Sequence, residues 1–213
     1  MPKQVNHDQR RSDIIEALFD LVSREGLRAA TFRNVAAEAS VSVRRIQYYF
    51  DNKAGLMAAA VQALGERSFN RGLRAIDELG PEPTIRQVLT ALTRSALPRE
   101  EESRKTAVLF FSFFTAAIAD AEIDSEEARR VKQWTVPFVA HLFSQAQAEG
   151  GMREQLNPHM EAIILMSVFD GLVLDALAGN LTVEDALGAF DYHLDRILTG
   201  KEVTARMPST GHG

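Results

Sequence analysis

The chain has 213 residues, of which 46% are hydrophobic and 25% are charged, an ordinary composition for a globular protein with a sizeable core. It contains no cysteine, which excludes disulfides, thiolate metal sites and cysteine catalysis. Residues 1–54 hold nine Lys/Arg and seven Asp/Glu, a net charge of +2, whereas the remainder has a net charge of −7. A basic N-terminal part on an acidic body favours contact with a polyanion at one end only.

The N-terminus is polar and lacks the apolar core of a signal peptide. The longest apolar run, residues 107–119, is too short to span a bilayer and is interrupted by Ser112 and Thr115. These features predict a cytoplasmic protein with no membrane partner.

Helical periodicity runs through nearly the whole chain and predicts an all-α fold of about nine helices. After a flexible arm at residues 1–9, the first helix carries an apolar face and stops near Gly26. Thr31 is a good N-cap for a short second helix, and a third covers roughly residues 42–49. A long fourth helix is predicted from Lys53 towards Leu79.

Capping signals place the remaining helices. Thr84 and Gln87 form a capping box that opens the fifth helix, which Pro98 ends, and the sixth begins in the acidic run 100–102. The seventh is expected from Asp124 to Glu149, with a kink at Pro137. Asn157-Pro158 opens the eighth, Thr182 caps the ninth, which runs to about Leu198, and residues 201–213 are expected to be a disordered tail.

The third helix has two chemically different faces. Tyr49 and Phe50 fall within about 60° of Ile46 when each residue advances the helix by about 100°. Arg44, Gln47 and Tyr48 lie on the opposite side, with donors suited to bases and phosphates in a major groove.

Only residues 40–41 separate the end of the second helix from this segment. Two short helices joined by so tight a turn predict a helix-turn-helix whose second helix reads DNA. A solvated helix face without a partner is the alternative interpretation of the charged residues.

Residues 10–56 resemble the DNA-binding domain of TetR/AcrR-family transcriptional regulators. The matching segments are Glu25-Gly26-Leu27, Thr31-Phe32-Arg33-Asn34-Val35-Ala36, Ala39-Ser40-Val41-Ser42 and Tyr48-Tyr49-Phe50-Asp51-Asn52-Lys53-Ala54-Gly55-Leu56. The chain departs from the pattern at Ser40, where the family usually has glycine because the turn favours φ > 0, and at Arg45, where a small hydroxyl residue is common.

The resemblance implies which residues contact DNA. Thr31, Arg33 and Lys53 would contact phosphate, and residues of the recognition helix would face bases or the adjacent backbone. The full predicted set is Thr31, Arg33, Ser42, Val43, Arg44, Arg45, Gln47, Tyr48 and Lys53.

By the same resemblance, residues 57–200 form an effector-binding and dimerisation domain, of which the part from Arg99 to Leu198 is similar to the BetI-like subgroup. Aromatic residues at helical spacing in the middle helices are expected to include some that line an apolar effector cavity. The candidates are Phe110, Phe114, Trp134, Phe138, His141, Met166 and Phe169, with ordinary core packing as the alternative for most and burial expected for His141.

Residues 162–178 are apolar around most of their helix and must be covered on more than one side. In the family, the last two helices pair with their symmetry mates in a four-helix dimer interface. The predicted interface residues are Ile164, Val168, Gly171, Leu172, Leu187, Phe190, Leu194 and Ile197.

The leading functional hypothesis is a dimeric repressor that binds a pseudo-palindromic operator and is released by a small apolar or amphipathic effector. An activator of the same architecture remains open, as does a helical small-molecule-binding dimer without DNA binding. No catalytic motif, metal-ligand spacing or phosphate-binding loop is present, so neither enzymatic activity nor a cofactor is expected.

Overall fold

The computed structural model describes residues 2–119 and 125–207, and within these ranges the fold is all-α. Its helices are α1 (Pro2–Glu25), α2 (Phe32–Glu38), α3 (Val43–Phe50), α4 (Lys53–Asp77), α5 (Ile85–Ala96), α6 (Glu101–Ala119), α7 (Ser125–Ala148), α8 (Pro158–Ala178) and α9 (Val183–Ile197). The nine helices confirm the predicted fold class for the described residues. None of these helices is long and apolar enough to cross a membrane.

The predicted caps are formed. Thr84 Oγ1 accepts from the Gln87 backbone N–H, and the Gln87 side chain accepts in turn from the Thr84 N–H. Asn157 accepts from two backbone N–H groups of the first turn of α8, and Thr182 caps α9. These bonds satisfy orphan donors at the helix starts, which is why the local sequence located those starts correctly.

The N-terminal end of the chain differs from the prediction. Residues 2–9 continue α1 and do not form the expected flexible arm, because Pro2 suits a first helical position and Gln9 bonds Asp13 one turn later at 2.9 Å. The helix α7 continues through Pro137 as predicted, and the kink at this residue stays a prediction. The predicted start of α7 at Asp124 lies outside the described residues.

The segment after α9 was predicted to be disordered, but it is ordered up to residue 207, where the described residues end. The Ile85 N–H donates to Val203 O (2.9 Å), and the Ala205 N–H donates to Pro83 O (2.8 Å). Val203 is only 4% exposed, so an apolar anchor and backbone bonds hold this segment in place. The rest of the predicted tail, residues 208–213, lies outside the described residues.

The chain divides into two compact units. The first comprises Met1–Arg67 and Val108–Arg129, and the second comprises Ser68–Ala107 and Arg130–Gly213. The first unit is larger than the segment 10–56 predicted as a domain, because Leu109 and Phe113 of α6 are buried in the same core as residues of α1, α3 and α4. Phe113 contacts Phe19 edge-to-face at 6.3 Å.

The second unit has its own core, built from α5, α7, α8 and α9. Leu142 and Phe143 of α7 are fully buried there, together with Phe190 and Leu194 of α9. The described segment after α9 adds Val203 to this core.

Candidate nucleic-acid interface

A tight turn joins α2 to α3. The Ser40 N–H donates to Ala37 O (3.2 Å) and the Val41 N–H donates to Ala36 O (2.9 Å), the paired bonds of a Schellman motif. This motif places Ser40 at φ 53°, the left-handed region that favours glycine, so the predicted positive φ is confirmed.

Side-chain caps fix both short helices. Thr31 Oγ1 accepts from the Asn34 N–H (3.2 Å) at the start of α2, as predicted. Ser42 Oγ accepts from the Arg45 N–H (3.3 Å) at the start of α3. The capping role holds the Ser42 hydroxyl against the helix end, beside the exposed face of α3.

The helix α3 has the two faces that the sequence predicts. Ile46 is fully buried and Phe50 is 4% exposed, both in the core of the first unit. Tyr48 is 74% exposed, and Arg44 and Gln47 are exposed beside it. The buried face therefore positions the helix, and the exposed face is free to contact a ligand.

The predicted contact set contains four positively charged side chains. Arg33, Arg44, Arg45 and Lys53 are all exposed, and none has a carboxylate partner within the described part of the chain. Unpaired guanidinium and ammonium groups are the donors that phosphate oxygens attract. The remaining predicted residue, Val43, is 40% exposed at the start of α3.

An ion pair joins α1 to α2. Arg24 Nη2 lies 2.8 Å from Glu38 and 3.2 Å from Glu25. The hydrogen bond to Glu38, followed by the bond to Glu25, raises the pKa of the Arg24 guanidinium above its ordinary value. This arginine is engaged within the protein, unlike the cations near α3.

Sequence reasoning missed contacts that support the recognition helix. The ring of His7 lies 4.6 Å from that of Tyr49 and 6.0 Å from that of Tyr48, and the Arg11 guanidinium lies 5.4 Å above the Phe50 ring. His7 lies four residues before Arg11, and Arg11 lies three residues before Ile14, so the helical period of α1 already places all three on one face.

The start of α4 shows a second missed feature. Asn52 Oδ1 accepts from the Gly55 N–H (2.9 Å), and a Cβ at Gly55 would lie 2.4 Å from Phe50 O. Only glycine permits this close approach of α4 to the end of α3. An Asn followed three residues later by Gly was the available signal.

The aromatic residues proposed for an effector cavity fall in both units. In the first unit, Phe110 and Phe114 are partly buried, with parallel rings 6.0 Å apart. In the second unit, Trp134 is 48% exposed, stacks on Phe138 at 5.1 Å and meets Phe69 edge-to-face at 5.3 Å. Phe69 was missed because it lies on α4, far from Trp134 in sequence.

Three further candidates lie in the second unit. Met166 and Phe169 are partly buried against its core. His141 is exposed and lies 2.6 Å from the Gln145 side-chain nitrogen. The expectation of a buried histidine was therefore wrong, because position 141 lies on the solvent side of α7 while Leu142 faces the core.

The predicted dimer-interface residues divide into two groups. Phe190, Leu194 and Ile197 are 2%, 0% and 1% exposed in the core of their own unit, which corrects their assignment to an interface. The apolar stripe of α9 packs inside its own unit, so it is not available to a partner. Ile164 and Gly171 are exposed, whereas Val168, Leu172 and Leu187 are partly buried.

A different set of apolar residues is exposed on α8 and α9. On α8 the first three lie within four residues of one another and the fourth lies ten residues further along the helix, and one large aromatic side chain lies on α9. The set is Met160, Ile163, Ile164, Leu174 and Tyr192. We call these residues the apolar seam.

Comparison with known proteins identifies both parts of the chain. Residues 14–60 match a family model described as bacterial regulatory proteins of the tetR family. Residues 85–199 match one described as the C-terminal part of BetI-type transcriptional repressors. The second match alone covers more than half of the 213 residues.

Named relatives agree with these matches. The chain is 27% identical over 184 residues to the HTH-type transcriptional regulator PksA of Bacillus subtilis (strain 168), covering 86% of each chain. It is 22% identical over 204 residues to the regulator BetI of Vibrio atlanticus (strain LGP32), covering 93% of this chain and 96% of that one.

Solved structures show the same fold. A TetR-family regulator from Rhodococcus sp. superposes with a TM-score of 0.77 at 23% identity, covering 90% of this chain and all of the other (100%). A regulator from Saccharomonospora viridis in complex with choline gives 0.78 at 20% identity, covering 90% and 98%. The matched families and relatives are regulators of transcription and not enzymes, as the sequence predicted. The chain belongs to the TetR family of bacterial transcriptional regulators, with a C-terminal part of the BetI type.

Proposed function

We propose that this protein is a ligand-responsive repressor that binds a pseudo-palindromic operator as a homodimer. The observation that carries the proposal is the exposed face of α3, where Arg44, Gln47 and Tyr48 lie opposite a buried apolar face. Arginine and glutamine reach base edges with paired hydrogen bonds, and the Tyr48 ring offers a large apolar surface and a hydroxyl. The description of the C-terminal family as repressors supports repression as the sign of regulation.

The cations around α3 supply the sequence-independent part of binding. Arg33 at the start of α2 and Lys53 at the start of α4 flank the recognition helix in sequence, and both are exposed and unpaired within the described residues. Each phosphate that a cation neutralises releases a counterion, which makes the affinity depend on salt. Lys53→Ala should therefore weaken binding to all sequences alike and lower the salt slope by about one.

A homodimer is expected because a pseudo-palindrome requires two recognition helices related by a twofold axis. The apolar seam on α8 and α9 is the surface that supports this proposal. Leu174 and Tyr192 are 50% and 66% exposed in the single chain, and covering such side chains with a symmetry mate removes apolar area from water. Ile164 and Gly171 remain proposed interface residues, since both are exposed on α8.

A small apolar or amphipathic effector is proposed to release the operator. The stacked Trp134 and Phe138, with Phe69 against the indole edge, supply an aromatic surface for such a molecule in the second unit. The helix α4 contributes residues to both units, so a change in its position is a direct route from ligand to DNA. The effector lowers operator affinity by favouring the arrangement that binds DNA less well.

DNA binding is tested by selecting duplexes from a random pool and measuring their affinity by fluorescence anisotropy. Arg44→Ala and Tyr48→Ala should each lower the affinity for the selected duplex by about tenfold or more, since a good base contact contributes about 1–3 kcal/mol. Arg104→Ala removes an exposed arginine of the second unit and serves as the matched control. No preference for any selected sequence over random DNA would refute the proposal.

Dimerisation is tested by sedimentation equilibrium at micromolar concentration. Leu174→Glu places a charge in the apolar seam and should produce monomers, whereas Arg44→Ala should leave the dimer intact. A monomeric wild-type protein would contradict the proposed dimer.

The effector is tested through the single tryptophan of the chain, since Trp134 reports binding at the aromatic surface by its fluorescence. Choline is among the first compounds to try. A compound that quenches the Trp134 fluorescence should also raise the protein concentration needed to bind the operator. Compounds that change the fluorescence without changing operator affinity would separate binding from regulation.

A further inference from the structure

The second unit contains an open cleft of about 950 Å³, bordered by α4, α5, the start of α6 and α9. Its volume is at the upper end of the range of about 300–1,000 Å³ for small-molecule sites. Its lining contains five arginines and four acidic residues. The arginines are Arg71, Arg74, Arg86, Arg94 and Arg99.

Arg71 is partly buried, and its side chain is less exposed than that of Arg86, which is 37% exposed. The Arg71 side chain is 16% exposed, and its Nη2 donates to Thr106 Oγ1 (2.8 Å) and Glu102 (3.2 Å). In the described part of the chain, Nε and Nη1 of Arg71 have no protein acceptor, yet neither atom is sealed from solvent. A guanidinium has five N–H donors, so Arg71 is held in place with donors still available to a ligand.

The other arginines differ in how they are paired. Arg86 is engaged, with Nη2 only 2.6 Å from Asp195 on α9. Arg74, Arg94 and Arg99 have no ion-pair partner among the described residues. These three come from α4, from α5 and from the connection between α5 and α6, so their cationic groups reach the cleft from separate segments.

We propose that this cleft binds a small organic anion carrying a carboxylate or phosphate group. Arg71 would anchor the anionic group, and Arg74, Arg94 and Arg99 would complete its coordination. Arginine suits this role because its planar fork donates two parallel hydrogen bonds to a carboxylate or phosphate.

The carboxylates of the cleft indicate the size of the ligand. Glu78, Glu100 and Asp191 line it in addition to Glu102, the partner of Arg71, so a long polyanion such as DNA would meet repulsion along its length. A compact anion can contact the guanidinium groups and avoid these carboxylates. The site is distinct from the aromatic surface around Trp134, so the inference goes beyond the proposed function and does not depend on it.

Binding is measured by isothermal titration calorimetry on the full chain without DNA. The probes are succinate, phenyl phosphate and inorganic phosphate, with succinamide as the neutral match for succinate. We expect saturable binding of at least one anion and none of succinamide. The succinate and phosphate arms decide which anionic group the cleft prefers.

Substitutions locate the site. Arg71→Gln should weaken anion binding by about tenfold or more, because it removes a charge-assisted donor. Since Arg71 also holds Thr106, the exposed Arg74→Gln and Arg94→Gln provide variants that do not disturb a packed contact, and each should weaken binding by at least about threefold. Arg104→Gln removes an exposed arginine outside the cleft and should bind as the wild type does.

Three results would overturn the inference. One is the absence of saturable binding by every anion, and another is equal binding of succinate and succinamide. The third is that cleft variants lose affinity for random-sequence duplex DNA more than Arg104→Gln does, which would make the cleft a nucleic-acid contact. Operator binding by the wild type is measured separately, so failure here leaves the proposed repressor function untouched.

Discussion

Replacing Ser40 by glycine should stabilise the protein, although glycine usually destabilises a folded chain. Ser40 has φ 53° because the paired bonds from its own N–H and from Val41 end α2 in a Schellman motif. A side chain in this left-handed region brings Cβ close to the following carbonyl, whereas glycine adopts it freely. Ser40 is also exposed, so its side chain contributes no buried contact that would be lost.

The size of the effect follows from two opposing terms. The left-handed conformation costs an L-residue about 1–2 kcal/mol. Glycine loses more backbone entropy on folding, which costs about 0.5–1 kcal/mol. The difference, about 0–1.5 kcal/mol with a midpoint of about 0.8 kcal/mol, predicts that Ser40→Gly raises the free energy of unfolding. Ala37→Gly, in the right-handed conformation of α2, has only the entropic cost and should lower it by about 1 kcal/mol.

The measurement is urea denaturation followed by far-UV circular dichroism. Protein concentration is held constant, because dissociation of a dimer would otherwise change the apparent stability. The midpoint should rise for Ser40→Gly and fall for Ala37→Gly, with similar slopes for both. A fall of similar size in both variants would refute the reasoning, since it would mean that the turn imposes no conformational cost on serine.

Two further predictions concern packing. Gly55→Ala should cost about 1–3 kcal/mol of stability in the same urea assay, because its Cβ would lie 2.4 Å from Phe50 O and the backbone there has little room to move. Ala58→Gly in the same helix should cost about 1 kcal/mol through helix propensity alone, and a Gly55→Ala variant as stable as the wild type would contradict the clash. Val203→Ala should cost about 1–2 kcal/mol, since its buried methyl groups anchor the segment after α9. Val43→Ala, at a 40% exposed position, should stay within about 0.5 kcal/mol of the wild type.

The recognition helix was predictable from the sequence because its information is local. One turn of helix separates Ile46 from Phe50, so the buried face can be derived from the helical period alone. The cap at Thr31 and the positive φ at Ser40 are likewise decided by a few neighbouring residues. The supporting contact of His7 was not predicted, since it requires α1 to begin much earlier than the strongly apolar part of its face indicates.

The dimer interface could not be derived from the apolar stripes of the last two helices. Phe190 and Leu194 recur at helical spacing, and a stripe of this kind fits a dimer interface as well as a core. The structure buries both within their own unit and leaves Leu174 and Tyr192 exposed. Periodicity identifies the face that must be covered, but it does not identify the surface that covers it.

The sequence by itself therefore determined the helices, their caps and the division of α3 into a buried and an exposed face, because these depend on residues within about one turn of one another. Only the tertiary structure decided that Arg71 meets Thr106 and Glu102 beside three unpaired arginines, and that Val203 returns to cover Ile85. Such contacts join residues far apart in the chain. Their formation depends on how whole helices pack, which no local pattern of residue types specifies.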